Sequence, residues 1–157
     1  MKATVALPRT AAAKKTTGIQ YAALPYRVSE ETVEILLITS LRTRRWIIPK
    51  GWPMDGREPS ASAALEALEE AGVSGEIEKI PFGQYRYFKE IKNGGSVPCK
   101  VHVFALKVTR ERKTWAEKDG RERRWCTVAE AVATVQEPQL RLLIAKFAAQ
   151  MAAAGQR

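Results

Sequence analysis

Between Gly51 and Val73 the chain reads Gly-Trp-Pro-Met-Asp-Gly-Arg-Glu-Pro-Ser-Ala-Ser-Ala-Ala-Leu-Glu-Ala-Leu-Glu-Glu-Ala-Gly-Val, a glycine-bounded loop that runs into a helix and stops. Pro59 has the preset φ and missing amide that suit a first helical turn, Ser60 or Glu58 can cap it, and Gly72 supplies the left-handed residue that ends it. The interior is almost all Ala, Leu and Glu, strong helix formers. Ala61, Ala64, Leu65, Leu68 and Ala71 are expected to form an apolar stripe that anchors the helix from behind, opposite Glu66, Glu69 and Glu70. Residues three and four apart share a helical face, so Glu66 stands beside Glu69 and Glu70. A solvated acidic face is the ordinary outcome of such a charge run. If the acids instead line a cleft, they repel one another until a cation neutralises them. Hard Mg²⁺ or Mn²⁺ suits carboxylate oxygens, and Mg²⁺ takes one or two of them, filling its other positions with water and phosphate oxygens.

The segments around this helix read as a sheet. Ile19 to Arg27 and Val33 to Ser40 have the pattern of two strands joined by a polar turn, the second strand buried. Leu41 to Arg45 is a basic loop, and Trp46 to Ile48 a short strand leading into the acidic segment. Gly75 to Glu90 is expected to be one bent strand, Asn93-Gly94-Gly95 a turn, and Cys99 to Thr109 a long strand. In that long strand Val101, Val103 and Ala105 fall on one face, and Lys100, His102, Phe104 and Leu106 on the other. Trp125 to Thr127 reads as a brief strand and Val128 to Thr134 as a short helix. A last amphipathic helix follows, with a core stripe of Leu140, Leu143, Ile144, Phe147 and Met151. The expected fold is α/β (α+β), an α/β/α sandwich with a mixed sheet between the acidic helix and the C-terminal helix.

With 26 basic and 17 acidic residues the net charge is +9, which favours anionic partners and does not choose among nucleic acid, acidic membrane and polyphosphorylated small molecules. Residues 1–17 read as a basic flexible tail, 18–151 as a single domain and 152–157 as a flexible C-terminus. No apolar run is long enough to cross a bilayer and no signal cleavage pattern is present, so no membrane partner is expected. Cys99 and Cys126 lack metal-ligand spacing and read as reduced structural thiols in the cytoplasm. A monomer or homodimer is expected. His102 reads as packing or hydrogen bonding, and Trp52 as a stacking or covering residue. Neither Ser40 nor Cys99 has the neighbouring base that nucleophilic catalysis requires.

The arrangement of Gly51, Glu66, Ala67, Glu69, Glu70, Gly72 and Val73 resembles the Nudix box, and Trp46-Ile47-Ile48-Pro49-Lys50 resembles the strand and Pro-Lys that precede it. Arg57 stands where that pattern has its first Glu, with Glu58 one place late, and Leu65 stands where it has Arg. Trp115-Ala116-Glu117, Arg121, Arg123, Trp125 and Glu130-Ala131 resemble bacterial relatives of diphosphoinositol polyphosphate phosphohydrolases. The resemblance implies a Nudix-type sandwich and hydrolysis of a diphosphate linkage X-P-P by metal-activated water, with Mg²⁺ as cofactor and Mn²⁺ as a substitute. It carries Glu66 and Glu70 over as metal ligands, a main-chain carbonyl at Lys50 or Gly51 as a further ligand, and Glu69 as proton acceptor. Arg42, Arg44, Arg45, Lys50, Lys100, Arg121 and Arg123 are the candidate phosphate contacts, because Arg binds phosphate bidentately and Lys as a point charge. Candidate substrates are nucleoside-diphosphate-linked compounds, dinucleoside polyphosphates and diphosphoinositol polyphosphates, with RNA 5′ ends less favoured. The competing reading is an inactive or weakly active Nudix-like module, with Arg57 and Leu65 in a variant box, that binds a phosphorylated ligand or RNA.

Overall fold

The computed structural model describes residues 17–155. Most of the expected basic tail, residues 1–16, and the last two residues lie outside the described part. Eight strands form one mixed sheet whose central path is β3-β2-β1-β7-β5. The strands are β1 (Gly18–Ser29), β2 (Thr32–Thr39), β3 (Trp46–Ile47), β4 (Lys50–Gly51), β5 (Val73–Ile77), β6 (Gly83–Glu90), β7 (Ser96–Glu111) and β8 (Arg123–Thr127). The helices are α1 (Pro59–Glu66), which passes into a π turn at Ala67–Ala71, then α2 (Val128–Thr134) and α3 (Pro138–Gly155), with a 3-10 turn at Lys118–Gly120. β1 runs parallel to β7, from Gly18 opposite Cys99 to Tyr26 opposite Lys107, and the other pairings are antiparallel.

The alternation in β7 splits the interior as its sequence indicates. Val101, Val103 and Ala105 join the core under α3, which contributes Leu140, Leu143, Ile144 and Phe147 with Met151 at its edge. Phe104 and Leu106 face the core under α1, beside Ala63, Ala67 and Ala71. The expected α1 stripe is therefore displaced. Ser60, Ala63, Ala67 and Ala71 are buried, whereas Ala61, Ala64, Leu65 and Leu68 are only half-buried. Three alanines let the helix sit close to the sheet, where larger side chains would overpack by about 1–3 kcal/mol. The same rotation turns Glu70 inward, next to Ala67 and Ala71.

The stretch expected as one bent strand is two. β5 pairs with the C-terminal half of β7 and β6 with its N-terminal half. Between them lies Pro81, which has no amide to give a ladder, and a register shift at Ser74/Gly75 already bends β5. α3 also runs through residues 152–155, read from sequence as a flexible end, because the helix continues past its last core residue. Among the described residues no helix is long and apolar enough to cross a membrane.

One split in the sheet positions the site. The second half of β1 pairs with β2, from Tyr26 opposite Ile35 to Ser29 opposite Thr32. Its first half pairs with β4 instead, Tyr21 opposite Gly51 and Ala22 opposite Lys50, and the Ala23 amide donates to the Pro49 carbonyl at 3.0 Å. Lys50 and Gly51 are thus stitched to a central strand beneath the end of α1.

Candidate functional site

Gly51 and Glu66 are in direct contact: a Cβ built on Gly51 would overlap the Glu66 carboxylate. Glu70, 7% exposed, reaches the same strand, where its Oε1 accepts the Lys50 backbone amide at 3.2 Å. Its Oε2 lies 3.4 Å from Arg121. The side chain of Arg121 is itself buried, and it also donates to Glu117 Oε1 at 2.8 Å and to the Thr39 carbonyl at 2.9 Å. Glu66, Glu70, Arg121 and Glu117 form one chain of neighbouring charges.

Burial pushes the Glu70 carboxyl up to about 8 even though Arg121 and Lys50 oppose the shift. Burial likewise pulls the Lys50 ammonium down to about 8, against the attraction of Glu70. Glu66 is raised, first by burial and then by Glu69 and Glu117, while a hydrogen bond with Glu70 and the Arg121 charge oppose the rise. Burial is the largest cause at both carboxyls. Among the described residues no three His, Cys, Asp or Glu side chains form a ready-made metal cluster. Glu66 and Glu70 are two neighbouring carboxylates, hard oxygen donors of the kind that suits a cation keeping several waters.

The π turn places these acids, and loop 112–123 holds the turn. Trp115 Nε1 donates to the Glu70 carbonyl at 3.0 Å, the Glu117 amide to Glu69 at 3.1 Å, Arg123 Nη1 to Ala71 at 2.8 Å and the Arg112 amide to Gly72 at 2.8 Å. Four consecutive carbonyls at the end of the helix, where intrahelical donors run out, are each taken by a donor from one loop. Gly72 closes the helix at φ 70°, and a Cβ there would meet the Trp115 ring at 2.7 Å. Arg123 stacks on that ring, 3.9 Å from its centroid. Among the described residues Arg57 makes no ion pair and Leu65 carries no charge, and the end of the acidic helix is held by the donors of this loop.

A cavity of about 510 Å³ opens in front of Glu70, and Arg42, Arg45, Lys50 and Arg121 line it together. The other three candidate phosphate residues lie elsewhere. Arg44 is engaged by the Gly120 carbonyl at 2.8 Å and Glu122 at 3.0 Å, and Arg123 by the helix end and the Arg112 carbonyl. Lys100 sits in β7 beside His102, whose ring packs 6.0 Å from that of Tyr21. The structure adds residues that the sequence reading left out of the site. Tyr87 and Gln20 line the cavity and are joined by a 2.7 Å hydrogen bond. Glu117 joins the charge chain, and its i, i+4 spacing to Arg121 was the available signal. Glu137 pairs with Arg45 at 3.4 Å, and an acid directly before a helix-opening proline reads from sequence only as a cap.

The sequence model of the NUDIX domain matches residues 19–150. The mitochondrial Nudix hydrolase 12 of Arabidopsis thaliana is 38% identical over 106 residues, which is 64% of this chain and 51% of that protein. The diphosphoinositol polyphosphate phosphohydrolase 3-beta of Bos taurus is 33% identical over 111 residues, 69% of this chain and 63% of that protein. The chain thus spans about half to two thirds of the length of these relatives. Among solved structures, a C. elegans Ap4A hydrolase binary complex superposes with a TM-score of 0.66 at 23% identity, covering 87% of this chain and 99% of that one. A NUDIX hydrolase from Nitrosomonas europaea gives a TM-score of 0.66 at 19% identity, over 87% and 91% of the two chains.

Proposed function

The chain belongs to the NUDIX domain family, and from that premise we propose that it hydrolyses a diphosphate linkage X-P-P in a nucleoside-diphosphate-linked, dinucleoside polyphosphate or diphosphoinositol polyphosphate compound. One observation carries this reading: Glu66 is seated on Gly51 and Glu70 on the Lys50 amide, and of these Glu70 and Lys50 line a cationic cavity.

Glu66, Glu70 and the Gly51 carbonyl are the groups that would hold Mg²⁺, or Mn²⁺ in its place. When bound, the ion lowers the pKa of a coordinated water and neutralises charge developing on the leaving phosphate. Glu69, half-buried and near enough to Glu66 to raise its carboxyl, would be the group to take a proton from the attacking water. Arg42, Arg45 and Lys50 steady the diphosphate. Arg121 has its donors engaged by protein groups and acts by fixing Glu70. The free, buried thiols of Cys99 and Cys126 support a reducing compartment such as the cytoplasm.

The test is hydrolysis, read as loss of substrate and appearance of both products by ion-exchange chromatography, of a panel comprising a diphosphoinositol polyphosphate, diadenosine tetraphosphate, an ADP-linked sugar and 5′-triphosphorylated RNA, with Mg²⁺ or Mn²⁺. Turnover of at least one compound, reduced at least about 100-fold in Glu70→Gln, is expected. If neither metal supported hydrolysis of any compound, and Glu70→Gln bound nucleotide like the wild type, the protein would be a binding module.

A further inference from the structure

β6 is an edge strand: it pairs with β7 and, among the described residues, with no other strand. The Arg86 amide donates to the Gln139 side chain at 2.9 Å and so points away from β7. Ile91 donates inward instead, to the Gly95 carbonyl at 3.0 Å. Bonding direction alternates along an antiparallel ladder, so the amides and carbonyls of Gln84, Phe88 and Glu90 point outward with those of Arg86. Among the described residues no other backbone group bonds to Gln84, Phe88 or Glu90 from that side. The side chains of these four residues are exposed, Phe88 by 69%, while Tyr85 and Tyr87 face the core under α3. A long edge with a free row of donors and acceptors is a template for another strand.

We propose that the strand is a second copy of this chain, with the two β6 edges paired antiparallel about a two-fold axis at Phe88 into one continuous sheet. The outward row is complementary to itself in that register alone. Phe88 lies opposite its own counterpart, and Arg86 on each copy lies opposite Glu90 on the other, the apolar and opposite-charge pairs that stabilise a ladder. Sliding one copy by two residues sets Phe88 against a charge. Sliding it by four sets Arg86 against Arg86 or Glu90 against Glu90, and a slip of one turns the bonding groups inward. A two-fold axis also closes the assembly at two copies, because each edge is used up by the other. Two existing contacts give way. Glu90 meets Arg42 at 3.0 Å, but both side chains are exposed and solvent weakens the pair, so Glu90 is free to turn to the other copy's Arg86. At the Arg86 amide the Glu90 carbonyl of the second copy replaces the Gln139 oxygen, one acceptor for another.

Sedimentation equilibrium of the full chain tests this without reference to turnover. The wild type is expected to show a dimer whose share rises between about 1 and 300 µM, the range for a small interface. Arg86→Glu sets like charges opposite one another and is expected to raise the dissociation constant at least about tenfold. Phe88→Lys should do the same. The double variant Arg86→Glu/Glu90→Arg restores opposite charges across the axis, and its dissociation constant should return to within about threefold of the wild type. All these positions are exposed, so the fold is expected to tolerate the changes, and a far-ultraviolet circular dichroism spectrum checks it. Hydrogen exchange supplies a second readout, in which the Phe88 and Glu90 amides exchange more slowly as protein concentration rises. A monomer across the whole range would overturn the proposal. So would a dimer indifferent to Arg86→Glu and Phe88→Lys, which would pair through another surface, or a double variant no better than Arg86→Glu alone.

Discussion

Gly51 and Gly72 bracket the acidic segment, and each lacks a side chain for a different reason. At Gly51 a methyl group would strike only the far end of a flexible side chain, the Glu66 carboxylate. Gly51→Ala is therefore expected to push Glu66 aside, lowering activity at least about tenfold. Its melting temperature should stay within about 2 °C of the wild type, because little packing is lost. At Gly72 the methyl would meet the Trp115 ring while the backbone holds a positive φ, so Gly72→Ala should cost about 1–2 kcal/mol from the left-handed conformation alone. Activity assays and thermal melts on the two variants would separate a site glycine from a fold glycine. Glu70 and Lys50 add a pH signature. The Glu70 pKa rises from 4.5 when unfolded to about 8 in the metal-free fold, so the folded chain keeps a proton that the unfolded chain releases, and stability falls as pH rises through that window. The Lys50 pKa falls from 10.5 to about 8, so above pH 8 the unfolded chain holds the extra proton and stability recovers. Melting temperature measured in chelator should pass through a minimum near pH 8, and Mg²⁺ should raise it most at and above that pH, where it no longer competes with the Glu70 proton. Of these residues, Glu66, Glu69 and Glu70 stood out in the sequence through the resemblance to the Nudix box, because their spacing by itself fits a solvated acidic face as well. Glu137 did not, because its pairing with Arg45 joins the start of α3 to the basic loop, far away in sequence.

At the scale of elements, α1 was visible in its proline, its helix formers and its terminal glycine, and its end at Gly72 is where the sequence puts it. Its orientation was not visible. Of the expected stripe of Ala61, Ala64, Leu65, Leu68 and Ala71 only Ala71 is fully buried, and close approach to the sheet brings in the small Ala63 and Ala67 beside it. A helix so rich in alanine has too little amphipathic contrast for periodicity to identify its inner face. The π turn was hidden for a related reason: it depends on four external donors from loop 112–123, which is remote in sequence. Trp115→Phe removes one of those donors and keeps a ring under Gly72 and Arg123. It should cost about 1 kcal/mol, with a larger proportional loss in kcat than in substrate affinity, because the Glu70 carbonyl is freed next to the Glu70 carboxylate. Equal losses of stability and activity across loop variants would mean that the loop supports the fold without setting the acids.

Over the whole molecule, strand alternation was enough to assign both faces of β7 and hence the two cores, since one residue of slip would have exchanged them. The number of strands along its edge was not readable, because breaking Gly75 to Glu90 into β5 and β6 depends on which part of β7 each half meets. The charge of +9 acts at this scale too. For a polyanionic substrate, kcat/KM should fall as salt is raised from about 0.05 to 0.5 M, mainly through KM, as the Debye length shrinks from roughly 14 to 4 Å. A stopped-flow series across that range would reveal the dependence.

The parallel pairing of β1 with β7 has a consequence for how the chain reaches this form. Gly18 lies opposite Cys99, so the centre of the sheet closes only after everything between them has been drawn together. The local hairpins β1–β2 and β6–β7 can zip early, whereas their union carries most of the loop-closure entropy and sets the pace of folding. Backbone amides along that central seam are then the last to exchange with deuterated solvent, because releasing them requires the molecule to come apart as a whole.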